Sequence, residues 1–290
     1  MGKKMQNIGI ITDTNSGMTA EEARQLGIIL MPMPFFVDGV EYVENVDMTQ
    51  AEFFRRLTSG ATVATSQPSP DSVIGCWENA LKTYDHLIYI PMSSALSSSC
   101  QSAKLFAEDF GGRVTVVDNH RISISQKQSA IDALRWRDEG LSADEIVRNL
   151  MNTAMDASIY LTVDDLQYLK RGGRITPSVA AIGTVLHIKP VLQIQGGKLD
   201  TYKKVRGLRA AQSAMLDAVR ADLDGRFRKT PVMLRTAYAG DPDMGREWNA
   251  RVQEKFPQFT VTYDPLPISI ACHVGPGVTA LGLIWAGGAR

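Results

Sequence analysis

The sequence predicts an α/β protein of two domains, built from mostly parallel sheets flanked by helices, with a ligand bound between the domains. Three observations point there. Short Ile/Val-rich runs alternate with amphipathic stretches of helical period through about the first 140 residues. The same alternation restarts near Ala157 after a short linker at most, which divides the chain into 1–156 and 157–290. Polar segments rich in Ser and Thr follow the apolar runs, at the edge where an open α/β sheet receives ligands. A chain of 290 residues suits two domains of ~100–200 residues and buries a core without disulfides or a structural metal.

In the first domain, Ile8–Thr12, Ile28–Val37, Leu87–Pro91 and Val114–Asp118 read as buried strands. Between them Thr19–Gln25, Thr49–Leu57, Pro70–Lys82, Ser98–Phe110 and Ser123–Glu139 carry helical periodicity. Thr19 with Glu22 forms a capping-box pattern, and Pro70 behind Ser69 suits the first residue of a capped helix. Asp38-Gly39 between two apolar runs signals a hairpin, so some antiparallel pairing is expected. In the second domain Ile159–Val163 reads as a strand and Asp164–Lys170 as a short helix. Val191–Gln195 and Lys198–Tyr202 flank a Gly196-Gly197 turn. Val232–Ala237 and Phe259–Tyr263 add strands, and Arg206–Asp222 and Asp241–Lys255 add helices. The apolar, small-residue stretch from Ile175 to Ile188 reads as helix. Ser269–Ala289 is the one stretch resembling a membrane span; with His273, Pro276 and several glycines it reads as a buried strand followed by a helix.

Composition excludes several classes. Lys+Arg and Asp+Glu balance at 31 each, and no basic stripe marks a nucleic-acid footprint. The three cysteines form no C-x-x-C pair, which fits a reducing compartment. The opening residues run directly into a strand, so no signal peptide and a cytoplasmic location are expected. The four histidines are scattered, so no metal site is expected. There is no G-x-S-x-G elbow, no G-x-x-x-x-G-K-[ST] loop and no H-E-x-x-H.

Three polar segments carry the chemistry: Asp13–Gly17, Thr65–Pro70 and Ser93–Ser102, the last with six serines in ten residues. A helix starting near Ser97 or Ser98 would aim free N–H groups and a positive dipole end at an anion, with hydroxyls completing the cup. The same residues also read as simple N-caps and turn formers. His273 reads either as a hydrogen-bonding, basic or nucleophilic group, or as a buried histidine satisfied by a carbonyl. Gly275–Ala280 fits G-x-G-x-x-A, but no acidic residue follows about twenty positions on, and Pro276 stiffens the loop. Leu169–Ile175, with Gly172-Gly173 between Arg171 and Arg174, reads as a helix C-cap or as a basic knuckle for an anion or a partner protein.

These segments, in this order, resemble the DegV family. Thr12-Asp13-Thr14 is similar to its opening motif, Thr65-Ser66-Gln67-Pro68-Ser69 to its Thr-Ser-Gln-Pro-Ser, and Ser93–Ser97 to its Ser-Ser-x-Leu-Ser. Leu169–Ile175 is similar to its Gly-Gly-Arg-Ile motif and His273–Gly277 to its His-x-Gly-Pro-Gly. Ser98-Ser99 departs from the family's usual Gly-Thr and adds a side chain beside the expected head group.

The resemblance implies a bacterial lipid-binding protein of phospholipid metabolism, not an enzyme, with no cofactor and no metal. It would hold a long-chain fatty acid between its domains. Thr65 and Ser97 would hold the carboxylate with His273 close by, and Ser98 and Ser94 beside them. A separate ATP-dependent fatty acid kinase would be the partner, docking at Arg171 and Arg174 and making the acyl phosphate. No nucleic acid and no integral membrane segment are expected, only transient membrane contact. The alternative is a small-molecule kinase-like enzyme in which His273 holds or activates a carbonyl substrate. A sensor of small polar ligands is a third reading.

Overall fold

The computed structural model describes residues 7–44, 46–180, 182, 188–197 and 199–287. The chain opens with β1 (Ile8–Asp13), a 3-10 turn (Thr14–Ser16), α1 (Ala20–Leu26), β2 (Ile29–Met31), β3 (Pro34–Val37) and β4 (Val40–Val43). There follow α2 (Gln50–Thr58), β5 (Val63–Thr65), α3 (Pro70–Ala80), β6 (His86–Ile90), α4 (Ser99–Ala107), β7 (Val114–Val116), α5 (Ser123–Asp138) and α6 (Ala143–Asn152). Next come β8 (Ala157–Thr162), α7 (Leu166–Gly172), α8 (Pro177–Ala180), β9 (Ile188–Ile194), β10 (Asp200–Arg206) and α9 (Leu208–Asp224). The last elements are β11 (Val232–Ala239), α10 (Pro242–Lys255), β12 (Thr262–Pro265), α11 (Ile268–Val274) and β13 (Val278–Trp285).

Strands β2-β1-β6-β7 form an all-parallel sheet, as the alternating pattern required. A six-stranded sheet in the order β10-β9-β8-β13-β11-β12 makes up most of the second half. Here the expectation of mostly parallel pairing fails: only β11 and β12 run parallel. The reason is connection length. A parallel neighbour needs a crossover of a dozen or more residues, whereas β9 and β10 meet across the short Gly196-Gly197 turn. A small antiparallel sheet, β4-β3-β5, hangs on the Asp38-Gly39 hairpin, where both residues take positive φ.

Other departures have local causes. The run Ile28–Val37 splits before Pro34, β2 joining the parallel sheet and β3 the small one. The segment after Pro267 is helix then strand, the reverse of the expected order. Strand β13 is buried throughout and paired on both sides, so it reads as a continuous apolar run with no alternation to mark it. Helix α6 is an element beyond those the sequence predicts, and Ser142 and Glu145 form a reciprocal capping box ahead of its buried Ile146 and Leu150. Of the helix expected over 175–188, Pro177–Ala180 is helical, while Ala181, residues 183–187 and therefore His187 lie outside the described residues. Lys198 lies outside them as well.

Helix α5 packs against β1 and β6 of the parallel sheet and against β11 and β13 of the large one. Most of its residues are buried, polar ones included. Lys127 bonds Glu22 of α1 at 2.8 Å and Asp264 of β12 at 2.8 Å, and Trp136 lies 6.1 Å from Trp285. The largest core cluster likewise joins Phe35 and Phe53 from the small sheet and α2 to Ile159, Leu161 and Val278.

Asp132 on α5 is 1% exposed, accepts from Gln128 Nε2 at 3.0 Å and meets Arg135 at 3.1 Å. Burial outweighs these partners and raises its pKa from 3.8 to about 6. A raised carboxyl pKa means that this group's contribution to stability is full below the unfolded value of 3.8 and is lost as pH rises through about 6. Asp132→Asn is therefore expected to raise the thermal midpoint at about pH 8 by a few degrees, on the order of 2 kcal/mol, and to give no gain near pH 4. Thermal unfolding of both forms at the two pH values checks this, and an equal gain at both would show that charge burial is not the cause.

Candidate functional site

The site is built around helix α11, which is held at both ends. At its start, Glu44, just past β4 and 3% exposed, accepts from the backbone N–H groups of Ile268 and, at 3.4 Å, Ser269. These are the first two residues of α11, and they carry N–H groups without intrahelical partners. Thr14 Oγ1 donates to the same carboxylate at 2.9 Å and accepts from Met33 N at 3.1 Å. Burial lifts the Glu44 pKa to about 7 against the pull of these hydrogen bonds. Asn15 Oδ1 accepts from Ser269 Oγ at 2.8 Å, and Asp13 accepts from Met92 N and Gln126 Nε2, each at 2.9 Å. The first polar segment is thus an anchor for α11 and for the loop after β6.

At the other end of α11 stands His273, its Nε2 2.8 Å from Thr65 Oγ1. Thr65 ends β5 and opposes Phe35 across the small sheet. The two residues are 208 positions apart in sequence. Burial first, and then the Arg174 charge, lower the His273 pKa to about 4, so its imidazole is neutral at physiological pH. Helices α7 and α11 approach so closely that a Cβ on Gly172 would lie 2.5 Å from His273 Nδ1. A Cβ on Gly275, already at φ 71°, would meet the Tyr168 ring at 2.4 Å.

Ser97 Oγ accepts from Ser99 N at 3.2 Å, at the start of α4, and donates to Ser99 Oγ at 3.0 Å, and Ser97 lines the site. Ser98 Oγ reaches across to Gln67 Oε1 at 3.3 Å, and Ser102 Oγ bonds the same oxygen at 3.0 Å. Ser94 is placed differently. Its backbone N–H donates to Asp118 Oδ1 at 3.3 Å, and it lines an outer hollow, not the main cavity.

Thr65, Gln67, Ser97, Ser98, Arg174 and His273 line one cavity of about 250 Å³. Its other lining is largely apolar, with Met33, Met92, Leu96, Ile122, Leu169 and Val274, and also carries Asn15, Ser66 and Ser269. Two further hollows adjoin it. One, of about 190 Å³, shares Thr65, Arg174 and His273 and adds Arg171; the other, of about 380 Å³, shares Ser97, Ser98 and Arg174. The two arginines read from sequence as one knuckle have separate positions. Arg174 borders all three hollows and donates to the carbonyls of Leu96 at 3.3 Å and Gly172 at 2.5 Å. Arg171 stands outside the main cavity, 5.0 Å from the Tyr168 ring, with its Nε on Gln167 O at 3.3 Å.

Sequence reasoning therefore placed Thr65, Ser97, Ser98 and His273 in one site and put Ser94 too close. It gave Glu44 and Gln67 no role. Gln67 lies within the Thr65–Ser69 motif, but nothing local to Glu44 marks it, because its partners come from 30 and about 224 residues away. Hydroxyl, amide and guanidinium donors around a neutral imidazole, in a cavity whose other lining is largely apolar, suit an anionic head on an apolar body. Among the described residues no group of three or more His, Cys, Asp or Glu could hold a metal, and no helix is long and apolar enough to cross a membrane.

Comparison with known proteins agrees on one family. The profile of the DegV family of uncharacterised proteins matches residues 7–285. A DegV domain-containing protein of Deinococcus radiodurans is 30% identical over 279 residues, covering 96% of this chain and 98% of its own. One from Listeria monocytogenes is 28% identical over 284 residues, covering 97% and 99%. Among solved structures, a DegV family protein from Thermus thermophilus described for its fatty acid binding superposes with a TM-score of 0.87 at 30% identity, covering 97% of this chain and 100% of that one. DegV from Bacillus subtilis shares the fold at a TM-score of 0.86 and 23% identity. The five ordered motifs, the two-part α/β architecture and a family match across nearly the whole chain place this protein in the DegV family.

Proposed function

We propose that the protein binds a long-chain fatty acid, with the carboxylate at the Thr65–His273–Ser97 end of the cavity and the chain along its apolar wall. The observation that carries this reading is the Thr65–His273 pair, 2.8 Å apart, on a cavity whose other lining is largely apolar. The fatty acid binding described for the Thermus thermophilus relative supports it. Burying methylenes at ~0.8 kcal/mol each gives a long chain over about 10 kcal/mol before the costs of association. A volume of about 250 Å³ takes the head group and the first part of a chain. The rest requires the wall to part, and Met33 and Met92 are flexible enough to yield.

The protein then acts as a carrier in the cytoplasm and performs no chemistry of its own. Arg174, at the cavity mouth, draws the carboxylate in. Arg171, facing outward, serves a separate ATP-dependent kinase that forms the acyl phosphate for phospholipid metabolism. The enzyme alternative keeps one supporting observation, a neutral imidazole hydrogen-bonded to a hydroxyl.

Replacing Thr65 and Ser97 together with Ala removes two hydrogen bonds to a charged group, each worth roughly 1.5–3 kcal/mol. Affinity for hexadecanoic acid should fall by about a hundredfold or more in calorimetry, with the fold retained; unchanged affinity would place the carboxylate elsewhere. The His273 ring gives a second test. In the empty protein it should stay neutral until pH falls to about 4, and a bound carboxylate should raise that value. Titration by NMR with and without ligand reads this directly, and no change on loading would remove His273 from the head-group site. Pure protein with ATP, magnesium and fatty acid or a small ketone should give no phosphorylated product. Turnover lost in His273→Ala would favour the enzyme. Arg171→Glu should keep fatty acid affinity while lowering acyl-phosphate formation with a cognate kinase; loss of both would mean that Arg171 serves the fold.

A further inference from the structure

We propose that Gln67 is a further ligand-binding residue, whose side-chain N–H groups donate to the ionised head group and make the site selective for acids over uncharged lipids. The inference rests on the fatty-acid reading above and extends it to the chemistry of recognition.

Gln67 sits two residues beyond Thr65, half-buried, on the wall that also carries Ser97 and His273. Its Oε1 accepts from Ser98 Oγ at 3.3 Å and from Ser102 Oγ at 3.0 Å. These serines are one turn apart at the start of α4, so the two bonds pin the oxygen and fix the plane of the amide. Among the described residues no acceptor pairs with its Nε2, and the residue lines the cavity. Ser98 is also the residue that departs from the family's usual glycine, and its side chain supplies one of the two pins. The extra hydroxyl therefore orients a neighbour.

The chemistry follows from what each group can do. Thr65 and Ser97 hydroxyls and a neutral imidazole can each donate or accept, so they tolerate an alcohol as well as a carboxylate. An amide nitrogen only donates. Placed on the same wall, it favours a head group that only accepts, an ionised carboxylate, and gains least from an alcohol. Selectivity of this kind suits a carrier that must ignore the neutral lipids sharing its apolar body.

The rival account is that Gln67 merely braces the loop against α4. Gln67→Met separates the two through the ratio of acid to alcohol affinity, because it adds no charge and loss of a mere brace would lower both affinities alike. Affinities for hexadecanoic acid and for hexadecanol are measured by calorimetry in wild type and variant, with thermal unfolding alongside to show that the fold is retained. The expected result is a loss of at least about tenfold for the acid, with alcohol affinity within about twofold of wild type. Wild-type affinity for the acid in Gln67→Met would overturn the proposal, as would an equal loss for acid and alcohol. Wild-type protein that binds neither ligand would instead overturn the fatty-acid reading, and the proposal with it.

Discussion

The buried carboxylate of Glu44 decides where His273 can stand. Helix α11 is only seven residues long, too short to hold itself together in water. Its first N–H groups have no intrahelical partner and are buried with it. One carboxylate from the far side of the small sheet meets two of them and takes a third hydrogen bond from Thr14. Removing it would strand buried donors, at roughly 1–3 kcal/mol each. Because β4, the turn after β1 and α11 share this one acceptor, the residues they carry arrive together.

The opposite end of α11 shows what that placement achieves. A helix of fixed position lets His273 lie against the backbone of Gly172 and against Thr65 at once. Burial and a neighbouring guanidinium both disfavour the imidazolium, so the ring remains a neutral hydrogen-bonding group. The charge available to an anion then comes from Arg174, which stays at the mouth, while the interior wall offers dipoles. Such a division avoids stranding an unpaired ion inside an empty cavity, where desolvation would cost several kcal/mol.

Local signals in the sequence found most elements of the parallel sheet, because Ile10, Ile88 and their neighbours sit in short runs bounded by polar turns. They failed where one pattern has two meanings. Ile268–Val274 and Val278–Trp285 are both apolar and buried, and periodicity alone cannot separate a buried helix from a buried strand of that length. The site was legible as segments and not as geometry. Thr65 and His273 stand in different motifs, and only the ordered resemblance joined them. Ser94 and Ser97 looked equivalent in the serine-rich loop, yet the turn directs one to Asp118 and the other to the cavity. Lys127 and Gln128 gave no warning of burial, because their partners Glu22, Asp264 and Arg235 lie on elements brought alongside only by the fold.

Helix α5 carries a consequence of its own. Its Trp136 and Lys127 contact the large sheet while its neighbours pack on β1 and β6, so neither half of the molecule has a complete core without it. The two halves are therefore poorly suited to melting one after the other. Packing of this kind places the amides of α5 among those expected to exchange only on global opening. Cooperativity in this protein resides in one helix, and a cut between the halves would leave one of them without a partner for that helix.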